Sequence, residues 1–406
     1  MDNGAFQITL TPTDLFGLSG TPKTQSLAIA NALPVVTAPP ATDTTVNEGA
    51  LAFFALGSFS DAGIEDKPWA VDIDWGDGSP HTTFNMQTQG ALPNANTGHT
   101  YADGPNSYPV TVTVKDKDGG SSSKQTVTIT VNNVKPSGSL FLQSSSVPEG
   151  SSFSFSFFNI RGLDPSPVDV QTLQFAFDCG AGLGAYSGTN GVTCPTTDNG
   201  TVTIAGRIKD KDGGVGESTS TMTVTNVAPT ATFTAPVQAF TGESVILAFR
   251  QQSDPSPADT TAGFTYTYDC TASGTLTVAD NRAASATCKY LTTGTFTVHG
   301  TISDKDQGTT GYTASIEVIS LQQAATNLED QVIALNLPAT RTSDLTTKID
   351  NALQKLAQGQ KVDAQKQLED FIKKINDIVK QNLISAAQGQ ELIDIANRII
   401  ASIAVS

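Results

Sequence analysis

Carboxylates recur along this chain in three short elements, and their types and spacing suit the binding of a hard divalent cation. The first element is Asp116-Lys117-Asp118-Gly119-Gly120, which returns as Asp210-Lys211-Asp212-Gly213-Gly214 and as Asp304-Lys305-Asp306-Gln307-Gly308, 94 residues apart each time. The second is Glu48-Gly49, Glu149-Gly150 and Glu243-Ser244. The third is a pair of aspartates five residues apart: Asp61 with Asp66, Asp164 with Asp169, and Asp254 with Asp259. Calcium takes about six to eight oxygen ligands at roughly 2.3–2.6 Å, from carboxylates and carbonyls. Gathered without a cation, the same charges would repel one another. Each element also reads as a simple turn signature, so the chemistry depends on whether the fold brings them together.

The elements that must do so show in the apolar pattern. Each Asp-x-Asp turn follows an alternating strand (Val110, Val112, Val114; Val202, Ile204; Phe296, Val298, Ile302). A second alternating strand follows it (Val127, Ile129, Val131; Met222, Val224; Ile316, Val318). Alternation, turn and alternation make a β-hairpin, and Gly residues in the turn tolerate positive φ. Asn132-Asn133-Val134-Lys135-Pro136 and Asn226-Val227-Ala228-Pro229 close the first two repeats, since proline ends ladder pairing. The predicted fold class is multidomain, with all-β immunoglobulin-like sandwiches in tandem and a C-terminal all-α helical bundle. The expected divisions are a partial hairpin at 1–31, sandwiches at 32–134, 135–227 and 228–319, and a bundle at 320–406.

In a sandwich with its termini at opposite poles, the turn carrying Glu48 lies at the C-terminal pole. The aspartate pair and the last hairpin turn lie at the N-terminal pole. Glu48 and Asn133 are therefore expected to meet Asp164, Asp169, Asp210 and Asp212 of the next repeat. Glu149 and Asn226 are expected to meet Asp254, Asp259, Asp304 and Asp306 in the same way. Asn31 with Asp61, Asp66, Asp116 and Asp118 forms a partial set upstream. The expected cofactor is inter-module calcium, fixing the angle between neighbouring sandwiches.

The first repeat also carries Asp74-Trp75-Gly76-Asp77-Gly78 and His99-Thr100-Tyr101. Together with its valine strand and Asp-Lys-Asp-Gly-Gly, it resembles the PKD-like immunoglobulin-type modules of bacterial surface and secreted proteins. The resemblance runs over roughly residues 32–320, and implies seven-stranded sandwiches acting as spacers or adhesive modules. The later repeats lack Trp-Gly-Asp-Gly. Cys179 and Cys270 stand where Trp75 stands, each after an aspartate, and Cys194 and Cys288 align with His99. Exchange of one contacting pair for another predicts disulfides Cys179–Cys194 and Cys270–Cys288. Free thiols or a zinc site are the alternatives, and two cysteines without a nearby histidine are too few ligands for zinc. Paired cysteines imply an oxidising, extracellular or cell-surface setting.

Residues 4–31 read as the last hairpin of a module alone, with Phe6, Ile8 and Leu10 before a turn and Leu27 and Ile29 after it. Two strands alone are marginal in water. Either the chain is cut from a longer protein, or the hairpin accepts strands from another chain and builds an assembly. After Ser320 the period becomes helical, with stripes at Leu321, Ala325, Leu328 and Val332, at Leu345, Ile349 and Leu353, at Leu368, Phe371 and Ile375, and at Leu392, Ala396 and Ile399. Polar breaks at 337–342, 359–361 and 381–383 divide an antiparallel bundle. Phe371-Ile372-Lys373-Lys374-Ile375 with Ala387-Gln388-Gly389-Gln390 resembles the FIMAH-type helical domain of bacterial surface proteins, over about residues 321–403.

The formal charge of −16 argues against a nucleic-acid or anionic-membrane partner. No apolar run approaches the roughly 20 residues that span a bilayer, and Met1-Asp2-Asn3 opens no secretory signal. The three histidines, His81, His99 and His299, lie in separate contexts, and no phosphate loop, nucleophile elbow or zinc-protease motif appears. Asp74 and Asp77 are better explained by turn formation than as a glycosidase pair. The expected function is a non-catalytic extracellular stalk or adhesin segment rigidified by calcium, with other surface proteins as partners. The alternative is an accessory, polysaccharide-binding region of a larger secreted hydrolase, for which Trp69, Tyr101 and Tyr108 are the candidate sugar platforms.

Overall fold

The computed structural model describes residues 2–39, 44–271 and 282–405. The chain divides into two compact units, one of Met1–Ser145, Ser154–Cys194 and Val202–Met222, the other of Ser146–Phe153, Pro195–Thr201 and Thr223–Ser406.

In the first unit, Gly4–Leu10 pairs antiparallel with Lys23–Ile29, in a register that sets Gly4 opposite Ile29. Phe6, Ile8 and Leu27 on this hairpin are exposed. The first sandwich has a five-stranded sheet in the order Thr45–Asn47, Gln125–Asn132, Asn106–Lys115, Trp69–Asp74, Thr82–Met86. Its first strand runs parallel to Gln125–Asn132 and the remaining neighbours are antiparallel. Val35–Thr37, Ser58–Ser60 and Gly90–Ala91 form a second sheet. The alternation expected of Val110, Val112 and Val114 holds: all three point into one core with Trp69, Val71, Ile73, Phe54, Leu56 and Phe59. The same unit pairs Leu140–Leu142 with Ser152–Phe157, and Gln174–Asp178 with Gly200–Lys209, around Phe157, Leu163, Phe175 and Ile208.

In the second unit, Ser146–Pro148 runs parallel to the end of Val215–Thr225. The third sandwich sets a three-stranded sheet (Thr230–Thr234, Ser244–Ser253, Ser285–Lys289) with a four-stranded one (Gln238–Phe240, Thr309–Ile319, Gly294–Ser303, Thr265–Asp269). A short helix, α1 (Pro257–Ala262), crosses between them in sequence, with Ser256 Oγ accepting from the Asp259 amide as its cap.

The bundle comprises α2 (Leu321–Ala334), α3 (Ala339–Ala357), α4 (Lys361–Lys380) and α5 (Ala386–Val405). Each apolar stripe read from the sequence is buried in one shared core. Ser320 caps α2 through the Gln323 amide, and Ser385 forms a reciprocal capping box with Gln388 before α5. Helix α3 starts at Ala339, inside the expected 337–342 break, because the Pro338 carbonyl already accepts from Arg341 and Thr342. Gly359 ends it with φ +73°, a conformation that favours glycine. Among the described residues no helix is long and apolar enough to cross a membrane.

Candidate metal centres at the sandwich seams

The first seam lies within the first unit. The strand Thr45–Asn47 ends in a turn at Glu48-Gly49, where Gly49 has φ +69° and a Cβ would stand 2.4 Å from the Pro165 carbonyl oxygen. Only glycine permits that approach, so the turn residue sets how closely the next sandwich can dock. Glu48 is buried and its carboxylate accepts from the Gly104 and Val134 amides, both at 2.7 Å. From the next sandwich, Asp164 Oδ1 accepts from the Ser166 amide at 2.9 Å, and Ser166 Oγ donates to the Ala102 carbonyl at 2.9 Å. Asp210 Oδ1 gathers the Asp212 and Gly214 amides of its own turn at 2.9 and 2.7 Å, while Oδ2 receives Asn133 Nδ2 at 3.1 Å. A Cβ on Gly214 would strike that Asp210–Asn133 pair, which is why the second turn glycine is needed.

Carboxylate oxygens of Asp164, Asp169 and Asp210 lie within 4.8 Å of one another, as do those of Glu48, Asp103 and Asp169. Asp169 is fully buried, its Oδ1 faces only an ion pair with Lys211 and its Oδ2 has no hydrogen-bond donor; Asp164 Oδ2 and Asn133 Oδ1 are likewise buried without one. Burial pushes Glu48, Asp164 and Asp169 above the usual carboxylate range, since desolvation penalises the charged form.

The second unit repeats this construction. Glu149 Oε1 accepts from the Val227 amide at 2.7 Å, and Asn226 Nδ2 donates to Asp304 Oδ2 at 3.1 Å. Asp254 Oδ1 accepts from the Ser256 amide at 2.8 Å, and Ser256 Oγ reaches the Thr197 carbonyl at 3.0 Å. Oxygens of Glu149, Asp198 and Asp259 lie within 4.8 Å of one another. Glu149 Oε2, Asp254 Oδ2, Asn226 Oδ1 and Asp259 Oδ2 are buried without a hydrogen-bond donor, and Asp259 Oδ1 faces an ion pair with Lys305. Burial raises the pKa of Glu149 and of Asp254.

The upstream set is built differently. Asn31 Nδ2 donates to Asp116 Oδ2 at 2.8 Å, and Asp61, Asp66 and Asp116 come within 4.8 Å of one another. Asp61 is spoken for, however, with the Gly63 amide on one oxygen and the Trp69 indole on the other, both at 2.9 Å. Trp69 is thus a buried core residue rather than a sugar platform. Tyr101 is buried too, and Tyr108 is stacked on it at 4.6 Å.

The sequence reading missed the cations. The lysine between the two aspartates of each turn points back into the carboxylates. Lys211 Nζ lies 2.6 Å from Asp103, 3.4 Å from Asp169 and 2.5 Å from Asp212. Lys305 lies 2.7 Å from Asp198 and 3.1 Å from Asp259, and also bonds Asp306. Lys117 joins Asp2 at 2.7 Å, Asp118 at 2.6 Å and Asp66 at 3.2 Å. These partners hold all three ammonium groups well above the ordinary lysine range. The recurrence of lysine at one position in all three turns was the available signal. Asp118 and Asp212 therefore face lysine, and so does Asp306.

Glu243, the third glutamate of the series, meets an arginine. Arg398 of α5 bonds both Glu243 oxygens at 2.7 and 3.0 Å, donates to the Gln238 carbonyl at 3.0 Å, and lies 4.4 Å over the Phe240 ring.

The cysteine pairs are disulfides, Cys179–Cys194 and Cys270–Cys288, each with Cα atoms 5.7 Å apart. In the first sandwich Trp75 and His99 occupy their place, stacked at 4.5 Å, with His99 bonded to Asp77 at 2.8 Å. Tyr101 reaches the Trp75 carbonyl as Tyr290 reaches that of Cys270, so the equivalence extends to the neighbouring tyrosine. Asp74 and Asp77 accept from the Gly76 and Ser79 amides, which is turn chemistry.

Among known proteins, residues 31–131 match the model of the PKD domain and residues 321–401 that of the FIMAH domain. No curated protein matches the chain. Similar solved structures include the fibronectin(III)-like modules of Clostridium thermocellum CbhA, at 18% identity and TM-score 0.20, covering 45% of this chain and 94% of that one. Drosophila OTK extracellular domains 3–5 match at 8% identity and TM-score 0.24, covering 72% and 99%. Protocadherin Gamma B2 cadherin domains 1–5 match at 13% identity and TM-score 0.27, covering 79% and 72%. The chain consists mostly of tandem immunoglobulin-like β-sandwich modules, with a PKD domain at 31–131 and a helical FIMAH domain at 321–401.

Proposed function

We propose that the chain is a non-catalytic extracellular or cell-surface spacer of structural or adhesin-like role, whose sandwich seams are set by bound calcium. One observation carries the reading: the same buried oxygens lack a hydrogen donor at both seams, Asp164 Oδ2, Asp169 Oδ2 and Asn133 Oδ1 at one and Asp254 Oδ2, Asp259 Oδ2 and Asn226 Oδ1 at the other. Buried polar atoms are nearly always satisfied in native proteins. A repeated, all-oxygen exception is what a hard cation would fill. Asp164, Asp169, Asp210 and Asn133 would hold the ion at the first seam, and Asp254, Asp259, Asp304 and Asn226 at the second. The ion would supply charge neutralisation and a fixed angle, with no bond-making chemistry. Extracellular modules of this kind bind calcium at about 10⁻⁴–10⁻³ M, so occupancy would follow extracellular calcium.

Two disulfides support the oxidising setting. The alternative of a polysaccharide-binding accessory region needs exposed planar aromatics. The burial of Trp69 and Tyr101 removes two of its three candidates and leaves the half-buried Tyr108, stacked on Tyr101. Small-angle scattering in calcium and then in chelator tests the proposal. A radius of gyration and flexibility that change with calcium, and stop changing when Asp169 and Asp259 become Asn, are expected. Identical curves in the two buffers would count against it.

A further inference from the structure

We propose that Lys211 and Lys305 are resident cations of the two seams, so that each seam takes one divalent ion rather than two. This rests on the calcium reading above and deepens it. Six carboxylates meet at the first seam: five of them, Glu48, Asp103, Asp164, Asp169 and Asp210, fall into two adjoining groups that share Asp169, and the sixth, Asp212, pairs with Lys211. In the group of Glu48, Asp103 and Asp169, the Lys211 ammonium is already in place at 2.6 Å from Asp103 and 3.4 Å from Asp169. In the group of Asp164, Asp169 and Asp210, the donor-free oxygens remain: Asp164 Oδ2, Asp169 Oδ2, and Asn133 Oδ1 beside them. One group holds an ammonium and the other retains the donor-free oxygens.

The second seam divides the same way. Lys305 stands 2.7 Å from Asp198 and 3.1 Å from Asp259, in the group that Glu149 completes. Asp254 Oδ2, Asp259 Oδ2 and Asn226 Oδ1 are donor-free on the other side. A divalent ion and an ammonium so close together repel strongly in a partly buried site. The lysine is bonded to carboxylates of both sandwiches, Asp103 and Asp212 in the first case, so it also bridges the seam when no metal is present. The metal-free seam is therefore stapled rather than collapsed by repulsion. Calcium tightens a joint that already exists.

The test uses the full chain and calcium alone, with native mass spectrometry for stoichiometry and calorimetric titration for affinity. Asp164→Asn and Asp254→Asn assign the ions to their seams. The unaltered protein is expected to take one ion at each. In Lys211→Met with Lys305→Met, each seam is expected to gain a second ion, and the first to bind about tenfold tighter or more, while Lys→Arg at both positions keeps one per seam. Unchanged stoichiometry and affinity in the Met variant overturn the proposal. So do two ions in one seam of the unaltered protein, a result that needs no variant to fold. Absence of calcium uptake by the unaltered protein would instead remove the calcium reading, and this proposal with it.

Discussion

Arg398→Ala probes a seam that is closed by a side chain of the bundle. Arg398 makes two charged hydrogen bonds to Glu243 and one to the Gln238 carbonyl, and covers the face of Phe240. A charged hydrogen bond contributes about 1.5–3 kcal/mol when shielded. The guanidinium side chain is 39% exposed, however, so solvent screening reduces the pair to about 1 kcal/mol. The contact with Phe240 adds about 0.5–1 kcal/mol. Glu243 is only 15% exposed and would be left partly desolvated without its partner. The loss is then about 2 kcal/mol, or roughly thirtyfold in the docking equilibrium. For a domain the size of the bundle, that lowers its melting midpoint by about 10 °C if docking stabilises it fully. Differential scanning calorimetry in calcium and in chelator reads the effect, with proteolysis near Ser320 as a second probe. The expected result is a bundle transition that falls in the variant by the same amount in both buffers, because no metal takes part. A midpoint unchanged by the substitution would refute the clamp, and a drop confined to the calcium buffer would refute its independence of metal.

Other expectations follow from the same contacts. Removing either disulfide with paired Cys→Ala should cost about 3 kcal/mol, for closed loops spanning 15 and 18 residues. Denaturant titration with and without reductant checks this, and an effect below about 1 kcal/mol would contradict the loop-closure argument. Gly49→Ala and Gly150→Ala should each open one seam, since the added Cβ would stand 2.4 Å from Pro165 and 2.5 Å from Pro255 at positive φ. Amide exchange would locate the opening, and unchanged protection of the 164–169 and 254–259 loops would count against it. The pH response should reverse with metal. Glu48, Asp164, Asp169, Glu149 and Asp254 have folded-state pKa values raised by burial. Protonation then favours the folded state, so in chelator the seams' contribution is fully present below the ordinary carboxylate range and is lost as pH rises through the raised values. Calcium bound as proposed would hold the carboxylates ionised, so in its presence acidification over the same window should destabilise. Melting curves from neutral pH downward in the two buffers decide this; parallel pH profiles would contradict it.

Much of the fold was open to reading because it is periodic. Strand alternation put Val110, Val112 and Val114 on one buried face, and the aspartate before each, Asp74 and Asp178, aligned Cys179 with Trp75 before any contact was known. The argument from the poles needed only strand direction; in the structure Asp164, Asp169 and Asp210 lie within 4.8 Å of one another, and Glu48 gathers with Asp103 and Asp169. Counter-charges were harder to see. A lysine in a turn ordinarily points to solvent, and nothing local shows that Lys211 folds back between Asp103 and Asp169. Arg398 was hidden for a related reason: an apolar stripe identifies the face of α5 that is buried among helices, not the residue at its margin that reaches another domain. Trp69 was legible and misread. It alternates with Val71, Ile73 and Trp75, which places it inside by pattern alone.

The most direct measurement is anomalous scattering from crystals grown in calcium. A peak among Asp164, Asp169 and Asp210, and another among Asp254, Asp259 and Asp304, with Asn133 and Asn226 oxygens turned toward them, is the expected result. Those carboxylates ordered around water alone, at saturating calcium, would contradict the claim that metal sets the seams.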